Sequence, residues 1–113
     1  MNAVALAGLW VGTSLCTIPA SPCHNERAAF HFSAPNANNV VQLIANKVVN
    51  GREEYMGTLD FRFDPQAMTL VHRDTRGTWS FTIDGDRITG TLIVPGRGLY
   101  RRIALRHAGA GLP

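Results

Sequence analysis

The stretch Leu99-Tyr100-Arg101-Arg102-Ile103-Ala104-Leu105-Arg106-His107 decides how this chain folds. Read with a period of two, it puts Leu99, Arg101, Ile103 and Leu105 on one face, the pattern of a half-buried β-strand. One guanidinium lies inside that apolar face. It keeps its charge at any protein pH, so an inward position requires stacking or hydrogen bonding. Near the other end, Gly8-Leu9-Trp10 opens the first strand-like segment and supplies a flat indole that a guanidinium can cover. Such a pairing requires the first and last strands to be neighbours, which happens when a sheet closes on itself. The alternation sends Arg101 inward and Arg102 outward, so the expected contact is Arg101 over Trp10, within about 6 Å of the ring centroid.

Six further segments lie between these two, separated by turn signals and free of any sustained helical period. The first segment runs from about Val4 to Cys16. The second, Arg27 to Ala34, sets Ala28, Phe30 and Phe32 against Ala29, His31 and Ser33. The third, Val40 to Val49, is β-branched enough for a strand but is long enough for three helical turns. Asn50-Gly51 is a hairpin dipeptide. The fourth, Glu54 to Asp64, predicts Tyr55, Gly57, Leu59, Phe61 and Phe63 on one face. The fifth, Met68 to Arg73, groups Met68, Leu70 and His72. The sixth, Thr78 to Asp84, points Trp79, Phe81 and Ile83 inward. The seventh, Arg87 to Val94, does the same with Ile88, Gly90, Leu92 and Val94. Half-polar strands exclude a parallel sheet covered by helices. Eight strands with short connections predict one all-β domain over residues 1–113, an antiparallel up-and-down barrel, with an open sandwich as the alternative.

With Gly8-Leu9-Trp10 on the first strand and Arg101 or Arg102 on the last, the chain resembles the lipocalin, or more broadly calycin, barrels. It is shorter than typical lipocalins and lacks the helix that usually follows their barrel. The resemblance implies a central cavity, open at one end, that holds a small apolar ligand. Small barrels of similar design also occur among cofactor-independent cyclases and isomerases, so shape does not separate carrier from enzyme.

Composition narrows the classes. The apolar fraction of 45% suits a folded domain. The charged fraction of 17% is low, which implies apolar surface covered by a ligand or a second subunit. The net charge of +3 is spread along the chain without a basic patch, so nucleic acid is not an expected partner. No apolar run reaches the roughly 20 residues of a membrane-spanning helix. Ala3 to Trp10 lacks the basic flank and cleavage site of a signal peptide. Cys16 and Cys23 bracket the proline-stiffened loop Thr17-Ile18-Pro19-Ala20-Ser21-Pro22 and are expected to bond. That would place the protein in a secreted or periplasmic setting, whereas free thiols would suit the cytoplasm.

Four polar side chains fall on apolar faces: Tyr55, His72, Arg101 and Lys47. In one cavity, Tyr55 would donate a hydrogen bond, His72 would shuttle a proton, and Arg101 would hold a carboxylate or enolate. Each also has a plainer role: Tyr55 and His72 at the rim, Arg101 as a structural plug, Lys47 reaching solvent. Cys23-His24-Asn25-Glu26 and His31 have ligand chemistry without metal-site spacing, and neither metal nor cofactor is expected. The expected ligand-contacting set is Trp10, Phe30, Tyr55, Phe61, Trp79, Phe81 and Arg101. The leading reading is a barrel that binds an apolar or amphipathic small molecule. The alternative is a cyclase or isomerase acting through Tyr55, His72 and Arg101. The first segment is apolar on both faces, and its outer face predicts a homodimer.

Overall fold

The computed structural model describes residues 6–18 and 23–109, and the first residues of the predicted first segment, Val4 and Ala5, lie outside that range. Eight antiparallel strands follow one another around a closed barrel, so the up-and-down order holds and the sandwich does not. They are β1 (Gly8–Cys16), β2 (Glu26–Phe32), β3 (Val40–Val49), β4 (Arg52–Asp64), β5 (Thr69–Asp74), β6 (Gly77–Asp84), β7 (Arg87–Val94) and β8 (Gly98–Gly109). The third segment is a strand over its whole length. Its β-branched residues prefer the pleated surface, and Asn50 and Gly51 both take the left-handed conformation that turns it into β4.

Closure joins β1 to β8, and its register decides which side chains meet. Trp10 stands opposite His107, while Arg101 stands opposite Cys16. Six residues of strand separate those two rungs, about 20 Å. The expected stack of Arg101 on Trp10 is therefore absent. His107 occupies that place, with its ring 4.4 Å from the indole and 11° from parallel. The Trp10 indole N–H donates to the Leu6 carbonyl at 2.8 Å. Arg101 does point inward and Arg102 outward, as the alternation requires.

Bulges alter the alternation at two places that matter. Ala45 pairs with Gly57 but Asn46 pairs with Tyr55, which makes Met56 an extra residue on β4. Tyr55 is thereby turned to the outer surface, where it is 68% exposed and its hydroxyl meets the Thr58 hydroxyl at 2.8 Å. On β8, Leu92 pairs with Arg101 but Ile93 pairs with Leu99, so Tyr100 is the extra residue and Leu99 leaves the face of Arg101.

Large side chains fill one half of the barrel. Trp10, Phe32, Phe61, Phe63, Leu70, Phe81, Ile83, Ile88 and Leu105 are buried there. Phe81 is the hub, with the rings of Phe30, Phe32 and Phe61 between 5.3 and 6.4 Å from its own. Gly90 is what admits it: a Cβ at that position would lie 2.2 Å from the Phe81 ring. Outside, Val11 and Leu15 of β1 and Ile44 of β3 are exposed, so β1 does carry an apolar outer face.

Candidate functional site

The other half of the barrel is open. A cavity of about 380 Å3 lies there, within the range of small-molecule sites. Phe30, Leu43, Ala45, Leu59, Trp79 and Leu92 form its apolar wall, and Met56, swung round by the bulge, lies at its mouth.

One tier of the wall is polar. Ser14 and Glu26 face each other across the β1–β2 ladder, and Arg101 extends over them from β8. The Arg101 Nη1 donates to the Ser14 hydroxyl at 3.0 Å and to the His24 carbonyl at 3.1 Å. It also stands 3.6 Å from Glu26 Oε1. Ser14 is 3% exposed, so burial of its hydroxyl is compensated by this guanidinium. The plug role expected for Arg101 is thus replaced by one at the cavity, where it also fixes the β1–β2 connection through His24.

A second polar group sits where β4 and β5 part. These strands pair only over Arg62–Asp64 and Thr69–Val71, the shortest ladder in the barrel. His72 crosses the resulting gap. Its Nδ1 faces the Asp60 carbonyl at 2.8 Å and its Nε2 faces Asp74 Oδ2 at 2.9 Å. Both partners are acceptors, so both bonds are made together only when the ring carries two protons. Asp74 also accepts the backbone N–H groups of Arg76 and Gly77, which shapes the β5–β6 turn. Its carboxyl is lowered to about 2, first by the His72 hydrogen bond and then by the Arg76 amide. Asp74, Arg76 and Gly77 border the cavity on one side of the gap, and Gly57 and Thr58 border it on the other.

Of the residues expected at a ligand site, Phe30, Trp79 and Arg101 line the cavity. Trp10, Phe61 and Phe81 are packed into the filled half. Tyr55 is on the outer surface, so Tyr55, His72 and Arg101 do not converge. Lys47 is half-buried beside a shallow cleft with His24 and Val48. His31 faces outward and meets Glu53 at 2.6 Å; the Asn46 and His31 hydrogen bonds hold the Glu53 carboxyl below its ordinary value. Among the described residues, no three His, Cys, Asp or Glu side chains stand together as a metal site. Ser14, Glu26 and Asp74 were absent from the expected set. Period two carried the signal, because Glu26 continues the face of Ala28 and Phe30, and Asp74 that of Leu70 and His72.

A disulfide joins Cys16 and Cys23 at the edge of this mouth, and such a bond is compatible with an oxidising compartment. No helix is long and apolar enough to cross a membrane among the described residues. The chain matches no protein family, no curated protein and no solved structure.

Proposed function

We propose that the protein binds a small amphipathic molecule in the open half of the barrel. The observation that carries this reading is the cavity itself: about 380 Å3, apolar on most of its wall, with a single inner polar tier of Arg101, Ser14 and Glu26. An apolar body with one polar group would match that distribution. The lipocalin-like reading is supported by barrel closure and strand order. The Arg101–Trp10 contact that first suggested it does not support it. The disulfide favours a secreted or periplasmic setting. The cyclase or isomerase alternative required Tyr55, His72 and Arg101 in one cavity, and with Tyr55 outside we do not extend it.

Tryptophan emission tests the binding reading. Trp79 lines the cavity and Trp10 lies buried in the filled half, so a ligand should alter the emission of wild type and leave Trp79→Phe almost unchanged. If a panel of hydrophobic and amphipathic molecules alters neither emission nor melting temperature, the reading is wrong.

The exposed strip of Val11, Leu15 and Ile44 supports self-association through the outer face of β1 and its neighbours. Light scattering that shows a monomer at high micromolar concentration overturns it.

A further inference from the structure

We infer that the cavity takes an uncharged amphipathic molecule whose head both donates and accepts a hydrogen bond, such as a primary amide or an alcohol, in preference to an acid or an amine. This rests on the binding reading above and adds the chemistry of the head.

The inner polar tier is an ion pair, not a lone cation. Arg101 and Glu26 stand 3.6 Å apart, both largely removed from water. Only Nη1 of the guanidinium is engaged, by Ser14 and the His24 carbonyl, which leaves the Nη2 and Nε donors without another partner among the described residues. On Glu26, Oε2 is in the same position. Arg101 and Glu26 both line the cavity, so a ligand head there meets donors and an acceptor that the described residues leave unpaired.

An acid placed against Arg101 would lie within a few ångströms of the Glu26 carboxylate, and an amine placed against Glu26 would meet Arg101. Either brings a third charge into a half-dry site whose own two already cancel, and that charge also loses water on entry. An amide or alcohol adds no charge and uses both free edges. The charged groups at the rim do not change this: the Asp74 carboxylate is matched by the Arg76 guanidinium at 3.4 Å.

A matched ten-carbon series tests the inference: decanamide, decanol, decanoate and decylamine, titrated by tryptophan emission at neutral pH. Decanamide and decanol are expected to bind about tenfold or more tightly than the two ions. Glu26→Gln removes the opposing carboxylate and should move decanoate to the front. Arg101→Gln should favour decylamine; if that variant does not fold, Glu26→Gln decides alone, with its melting temperature as the control. Decanoate binding as tightly as decanamide to wild type, or a ranking unchanged in Glu26→Gln, overturns the inference and leaves the binding reading intact. Silence from all four compounds overturns both.

Discussion

The rings of Trp10 and His107 lie face to face, 4.4 Å apart, across the join between β1 and β8. The His107 Nε2–H also donates to the Ala7 carbonyl at 3.1 Å, so one histidine covers the indole and ties down the chain that precedes β1. His107→Ala should cost roughly 1–3 kcal/mol through the lost stack and an orphaned carbonyl. His107→Phe should recover the stacking part only. Urea unfolding followed by Trp10 emission measures both, and a silent His107→Ala would show that the barrel base does not depend on this ring.

Acid should expose the Asp74 network. The carboxyl is lowered in the folded protein from 3.8 to about 2, so its stabilising effect is fully present above pH 4 and fades as the pH falls toward 2. Asp74→Asn should be less stable than wild type at neutral pH, and the gap should close on acidification through that window. Parallel melting curves from pH 7 to pH 2 provide the check. A constant gap down to pH 2 would mean that the turn contacts, not the ionisation, account for the effect.

Two glycines on inward faces should respond in opposite ways. At Gly90 a methyl group would collide with the Phe81 ring and the Ser80 carbonyl, so Gly90→Ala should lose about 1–3 kcal/mol or more. At Gly57, on the cavity wall, a Cβ meets nothing within 4 Å. Gly57→Val should leave the melting temperature nearly unchanged while weakening any ligand seen by Trp79. A Gly57→Val variant with full affinity would place the ligand elsewhere.

Reduction should cost less than the loss of a large core side chain. The bond between Cys16 and Cys23 closes a short loop, which corresponds to about 2–3 kcal/mol by loop entropy. Asn25 also holds the Cys16 amide at 2.7 Å, so the loop retains an anchor after reduction. Denaturant midpoints with and without reductant read the difference. The Cys16→Ser, Cys23→Ser double variant should match the reduced protein.

Strand number, order and most of the inward set were legible in the sequence because each depends only on local alternation and turn chemistry. Tyr55 was not, because a bulge at Met56 reverses its face, and one inserted residue leaves no mark in a period-two pattern. The partner of Trp10 was not, because it depends on the shear of the whole closed ring, which no single strand encodes. His107 was within reach: it continues the inward face of Ile103 and Leu105 by one more step. The cavity was invisible for a related reason. The aromatic residues look evenly spread along the chain, and only the register shows that Trp10, Phe32, Phe61 and Phe81 gather in one half.

The short join between β4 and β5 has a consequence for how the molecule moves. A ring of strands has no free end at which to fray, so partial opening must begin where the fewest rungs resist it. Here that place pairs over Arg62–Asp64 alone, while β3 and β4 remain joined from Val40 to Val49. Beyond that ladder, the β4 amides that point toward β5, those of Thr58 and Asp60 among them, should exchange with solvent sooner than those along β1 and β8. An occupant of the cavity would then have a side exit beside His72, and its lifetime inside would follow the breathing of this one seam.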